Sequence, residues 1–313
     1  MPNKSALSFK VHSNPQKINW VVLNEKKLMK TKKITTYHSI SDDEQTDRYV
    51  SAISEFDANE HEILSISYTP DGEIEHKTVY KYNDDGLKIA ETNYFDEDEV
   101  SDSHVFEYNA QKLLIKEVTS FIDGSETIKT IVRDEQAKTV TVSSHDDEGE
   151  LEDMEWVQLN AENRVIERKL FDEDEKIKEH FTYIHDDAGN VLNAKEYDEN
   201  GNLYRETVQE FNSYNEPTKR IVKNAKGEIV DYTIYTYDDK NRVLEVKFGN
   251  RYLIKHEYNA ENNSHTEMRI LGSGQMDEKV TYIYNSEGKT IREERLDSTL
   301  EYDYEYADEQ IQR

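Results

Sequence analysis

The sequence predicts an all-β fold: a tandem-repeat antiparallel β-meander of about 20 strands, coiled into an open spiral, ribbon or partial shell. Three observations point there. A unit of about 26 residues recurs some ten times from near residue 50 to the end of the chain, Gly or often Asn returns at one fixed offset in most units, and the segments between alternate apolar and polar residues. The chain therefore divides into a basic N-terminal cap or extension over 1–45 and a β-repeat domain over 46–313.

The fixed offset is a bulky residue followed by Asp or Asn, with Gly four positions after the bulky one. Tyr82-Asn83 leads to Gly86, His185-Asp186 to Gly189, Tyr197-Asp198 to Gly201 and Tyr284-Asn285 to Gly288; Tyr68 to Gly72, His145 to Gly149 and Lys223 to Gly227 repeat the step. Elsewhere Asn stands in, at Asn163, Asn215, Asn241 and Asn262. Gly and Asn accept a left-handed backbone most readily, and Asp or Asn at a turn entry accepts hydrogen bonds from the amides ahead of it. The pattern therefore predicts hairpin turns of three to five residues with a bulge. Anchors at Phe56, Tyr82, Tyr108, Arg133, Leu159, His185, Phe211, Tyr237, Tyr258, Tyr284 and Tyr306 set the period, and a second turn falls between successive anchors, as at Phe95, Phe171 and Leu296. Each unit is thus two strands and two turns.

The anchor is often preceded two residues earlier by another aromatic. Tyr80 with Tyr82, Phe106 with Tyr108, Tyr183 with His185, Tyr235 with Tyr237, Tyr282 with Tyr284 and Tyr304 with Tyr306 each share a sheet face by the two-residue period of a strand. Repeated from unit to unit they form a candidate aromatic ladder, read here first as core and second as a ligand-binding stripe. No segment sustains a 3.6-residue period, so helix is expected only within residues 1–45 or in a short insertion between Asp123 and Ala137.

The stretch from Ala188 to Asn212 resembles the YD repeats of Rhs-type and teneurin-like proteins: Tyr197-Asp198 with Gly201 and Leu203 carry Tyr-Asp-x-x-Gly-x-Leu, and Tyr237-Asp238 with Asn241 and Val243 repeat it. The resemblance implies long antiparallel sheets that spiral into hollow shells, in proteins serving secretion, toxin encapsulation or adhesion. Family shells use more repeats, and the usual unit is nearer the 21-residue step found once here, between Tyr237 and Tyr258.

Composition narrows the function. With no Cys there is no disulfide, thiolate metal site or thiol nucleophile. No apolar run is long enough for a membrane-spanning helix, and the N-terminus lacks the apolar core of a signal peptide, so a cytoplasmic protein is expected. The formal charge is −28; residues 1–40 carry eight Lys against the single acid Glu25, which leaves −35 on the remainder. Such a body repels nucleic acid and attracts basic partners. The Lys26, Lys27, Lys30, Lys32 and Lys33 cluster is expected to cap the first strand against the acidic sheet.

Catalytic signatures are missing. There is no HExxH, no phosphate-binding loop in Leu271–Met276 and no Gly-x-Ser-x-Gly, and the acid runs Asp96–Glu99, Asp146–Glu148 and Asp172–Glu175 do not match a twelve-residue calcium loop. No enzyme activity, cofactor or metal is expected. The leading expectation is a non-catalytic scaffold for a basic protein partner, such as a toxin domain or secretion component, acting as immunity, chaperone or adaptor protein; a surface adhesin or carbohydrate binder and an acidic nucleic-acid mimic are the alternatives.

Overall fold

The computed structural model describes residues 30–41 and 46–307. The strands are β1 Thr31–Ser41, β2 Thr46–Phe56, β3 Glu62–Tyr68, β4 Ile74–Tyr82, β5 Lys88–Tyr94, β6 Val100–Tyr108, β7 Leu114–Phe121, β8 Glu126–Asp134, β9 Thr139–Asp146, β10 Leu151–Leu159 and β11 Val165–Phe171. They continue with β12 Ile177–His185, β13 Val191–Tyr197, β14 Leu203–Phe211, β15 Pro217–Asn224, β16 Ile229–Tyr237, β17 Val243–Phe248, β18 Tyr252–Asn259, β19 Ser264–Leu271, β20 Met276–Tyr284, β21 Thr290–Glu294 and β22 Ser298–Tyr306. Every strand pairs antiparallel with its sequence neighbours, and β22 pairs back onto β1 from Thr31 opposite Tyr306 to Ile40 opposite Ser298. The meander is borne out; the open spiral, ribbon or partial shell is not, because the sheet closes into a barrel of 22 strands.

The turns explain the regularity. In the β4–β5 hairpin the amide of Gly86 donates to the Asn83 carbonyl, that of Asn83 donates to Leu87, and Asn83 Oδ1 accepts from the amides of Asp85 and Leu87. All seven glycines at the fixed offset have positive φ, as do Asn163, Asn215 and Asn241. After Tyr258 the left-handed residue is Asn263, not Asn262, because this turn is one residue longer. Asp96, Asp146 and Asp172 each accept two turn amides, so these acids hold the chain reversals.

A register shift beside nearly every turn moves the pairing by about one residue per strand, so a circuit of the ring returns to β4 displaced by about 22 residues. One residue of stagger per strand spacing corresponds to a tilt of about 35° and places opposite walls about 40 Å apart. Packed sheets sit about 10 Å apart, so these walls cannot meet across the lumen. Contacts between strands accordingly run only between ring neighbours, and no described side chain is fully buried.

Eight of the nine buried residues, Ser144, Ala194, Thr207, Val222, Thr233, Val246, His265 and Val280, fall on one face when followed through the pairings. Side chains converge on the concave side of a closed sheet, so this face lines the lumen. The convex face carries cross-strand ion pairs such as Lys116–Glu107, Lys219–Glu210 and Lys255–Glu245.

Two sequence expectations are corrected. Residues 31–41, assigned to the cap, form the strand that closes the barrel, with Lys32 and Lys33 in it; residues 1–29, including Lys26 and Lys27, lie outside the described residues. The stretch near Asp123–Ala137 holds β8, not a helix: Thr127, Lys129, Ile131 and Arg133 alternate with Ile128, Thr130 and Val132, and apolar residues on both faces hide the two-residue period.

Candidate functional site: the lumenal wall

All eleven ladder residues, Tyr80, Tyr82, Phe106, Tyr108, Tyr183, Tyr235, Tyr237, Tyr282, Tyr284, Tyr304 and Tyr306, lie on the lumenal face and are half-buried. Several tyrosines share one contact. Tyr82 Oη donates to the Glu62 carbonyl at 3.0 Å, Tyr108 to Lys88 at 2.8 Å, Tyr237 to Pro217 at 2.6 Å, Tyr258 to Val243 at 3.0 Å and Tyr304 to Thr290 at 2.7 Å. Each acceptor is the first residue of the preceding strand, where the ladder has just been interrupted by a bulge or turn. The hydroxyl therefore gives that carbonyl a donor at the point where the pairing shifts.

The rings do not form one continuous stack. Consecutive anchor strands are separated by an intervening strand, and that strand or the turn leading into it supplies cations and imidazoles between the rings. Lys88 Nζ lies 5.7 Å from the Tyr80 ring centre and 4.8 Å from that of Phe106, Arg242 sits 4.1 Å over Tyr258, and Lys289 lies 5.3 and 4.5 Å from Tyr304 and Tyr306. His61 stacks on Tyr82 at 4.6 Å. Tyr183 lies beside Phe181, whose face meets Arg168. Desolvation raises the phenol pKa values of Tyr80, Tyr82, Tyr183, Tyr235 and Tyr284, and pushes those of Tyr258 and Tyr282 up to about 12.

Ion pairs fill the positions between. Arg168 reaches Glu155 at 2.5 Å and Glu179 at 3.4 Å, while His104 lies between Asp102 at 3.0 Å and Glu117 at 3.2 Å. Toward the rim, Arg205, Arg220 and Arg251 converge with Asp231 around an open cavity of about 380 Å³. The same rim, followed backwards, changes sign. The turns 95–99, 121–125, 146–150, 172–176 and 198–202 are neighbours there and carry exposed carboxylates; beside them Lys77 reaches the Glu97 carbonyl and Lys176 pairs with Asp174 at 2.7 Å.

One cluster escaped the sequence reading. His256 on β18 stands opposite Glu267 on β19, and His265 stands opposite Tyr258, so all four share the lumenal face. His256 Nδ1 lies 3.0 Å from His265 Nε2 and 3.6 Å from Glu267 Oε1, and His265 Nε2 lies 4.0 Å from the same oxygen. The two imidazoles are only 8% and 9% exposed. Burial, the neighbouring His256 and Arg242 push the His265 pKa down to about 4, burial lowers that of His256, and burial with Glu278 and Glu293 raises that of Glu267. Tyr258 and Tyr282 stack on His265 at 4.7 and 5.8 Å and fix its plane. The two histidines are nine positions apart and match no linear motif; only the hairpin register, readable from the turn at 259–263, brings them together.

No family model and no curated protein matches the chain. Among solved structures it is similar to a porin-like protein from Bacteroides uniformis ATCC 8492, at 12% identity and a TM-score of 0.29, over 88% of this chain and 98% of that chain. At that TM-score neither fold nor function is carried over from it.

Proposed function

We propose that the barrel is a non-catalytic scaffold that works in water and holds a basic polypeptide partner at its acidic rim, as an immunity, chaperone or adaptor protein does. The observation that carries this reading is the contiguous arc of carboxylates on five neighbouring turns of one rim. An arc in which carboxylates outnumber the cations beside them, Lys77 and Lys176, raises the local concentration of a basic ligand and orients its approach. The half-buried tyrosines and phenylalanines just inside supply apolar area and cation-binding ring faces for lysine and arginine side chains. The resemblance to YD repeats is what directs the proposal toward toxin or secretion partners.

A lysine- and arginine-rich peptide, with a sequence isomer carrying glutamate in place of the cations as control, tests it by fluorescence anisotropy. The variant replaces Glu97, Asp98, Asp147, Glu148, Glu173 and Asp174 by their amides and keeps Asp96, Asp146 and Asp172, whose carboxylates hold the turns. Saturable binding that weakens with salt and falls about tenfold or more in the variant is expected. Equal binding by variant and parent would sink the rim as the docking surface.

A further inference from the structure

We propose that His256, His265 and Glu267 form a transition-metal site on the lumenal wall, and that its ion is Zn²⁺. The claim is independent of the rim's partner. With nitrogen–nitrogen and nitrogen–oxygen separations of 3.0, 3.6 and 4.0 Å, a point equidistant from all three atoms lies about 2.1 Å from each, which is the bond length zinc makes to imidazole and carboxylate. The ligand atoms need hardly move to receive it.

The donor set narrows the ion to the imidazole-binding metals, of which zinc imposes no coordination geometry of its own. Two imidazoles and a carboxylate suit zinc and disfavour Ca²⁺ and Mg²⁺, which take all-oxygen shells. Both rings are buried, which favours the neutral imidazole whose lone pair a metal takes. Without an ion the two inward nitrogens can share only one hydrogen, and Glu267 faces the like charges of Glu278 and Glu293; a dication relieves that repulsion. The rings are held from behind. Tyr258, fixed by its bond to the Val243 carbonyl and covered by Arg242, packs flat on His265, which is the kind of outer support that keeps a ligand in place. Three protein ligands on a wall facing an open lumen leave the remaining coordination position for water or for a donor from a bound molecule.

The test uses the full chain without an affinity tag, stripped with chelator and titrated with Zn²⁺ by calorimetry in excess Mg²⁺, which occupies the rim carboxylates. One Zn²⁺ per chain is expected, with affinity lowered about tenfold or more in His256→Gln and again in His265→Gln. Co²⁺ in place of Zn²⁺ gives visible absorption bands of low-symmetry nitrogen–oxygen coordination in the parent and not in either variant. Circular dichroism of the variants checks that the barrel persists, and Glu267→Gln, which keeps the shape of the cluster, supplies a third variant with weakened affinity. Absence of a one-to-one site in the parent, or the same stoichiometry and affinity in all three variants, overturns the assignment.

Discussion

Replacing Tyr237 by Phe removes one oxygen and leaves the ring where it is, so it isolates the bond from the hydroxyl to the Pro217 carbonyl, at 2.6 Å the shortest of the five rungs. The Tyr237 phenol is held above its ordinary pKa, mainly by burial, so its hydroxyl stays protonated and can donate. Losing the bond takes the hydroxyl donor away from a half-buried carbonyl at a strand start, which costs about 1 kcal/mol. The same change at Tyr82, Tyr108, Tyr258 and Tyr304 repeats the loss. If the well-separated rungs add, the fivefold variant loses about 5 kcal/mol, a third or more of the stability a domain ordinarily holds. Urea unfolding followed by circular dichroism measures it. With a slope of about 3 kcal/mol/M or more for a chain of this size, each single change lowers the midpoint by about 0.3 M or less and the fivefold change by more than 1 M. Tyr214→Phe, on a turn and 69% exposed, is the control and should leave the midpoint unmoved. A fivefold variant as stable as the parent would refute the role given to these hydroxyls and return the tyrosines to a stripe available for ligands.

Two further tests address the turns and the wall. Gly86 and Gly201 share a left-handed backbone, but a Cβ on Gly201 meets nothing within 4 Å whereas one on Gly86 falls 3.0 Å from the His61 ring. Gly201→Ala should therefore cost about 1 to 2 kcal/mol of backbone strain, and Gly86→Ala more, because it also disturbs the stacking of His61 on Tyr82; equal losses would argue against the His61 contact. Stability should also fall in alkali. Phenols whose folded pKa lies above 10, Tyr258 and Tyr282 at about 12, contribute stability that is fully present below pH 10 and is lost as pH rises toward 12. Ultraviolet titration of phenolate in the folded protein checks this, and a single transition at pH 10 for every tyrosine would contradict it.

The turns were legible because their chemistry is local. A Gly or Asn four residues after the anchor reports a positive φ directly, yet Glu60, Lys112 and Glu175 occupy the same conformation with no trace in composition. There the Asx or side-chain bonds and the flanking pairings hold the backbone against the preference of the residue. The lumenal face was legible from the two-residue period of paired tyrosines. The strand β1 was not, since its lysines read as a basic tail and its partner β22 lies at the far end of the chain. His256 and His265 were obscured in the same way: each is an ordinary strand residue until the β18–β19 register sets one beside the other.

Closure follows from quantities that no single repeat contains. Each hairpin fixes about one residue of stagger, and repeated stagger makes a tilted, coiling sheet instead of a flat one. Coiling alone permits an open spiral with two bare edges, each a row of unpaired amides and carbonyls ready to join another chain. Bringing β1 against β22 pairs both rows at once, at the cost of a loop-closure entropy that grows only with the logarithm of chain length. Register decides whether the seam can form. A slip of one residue would turn Tyr302 and Tyr304 outward and Glu301 and Asp303 inward, against the alternation carried by every other strand, so the seam has one acceptable alignment. Lys289 Nζ, which donates to Thr31 Oγ1 at 2.8 Å, and Arg48, which reaches Glu301 at 3.2 Å from beyond β1, hold that alignment from both sides. The ring is thus selected by the same alternation that lines its lumen with aromatic residues, which is why the tyrosines and the closed topology come together.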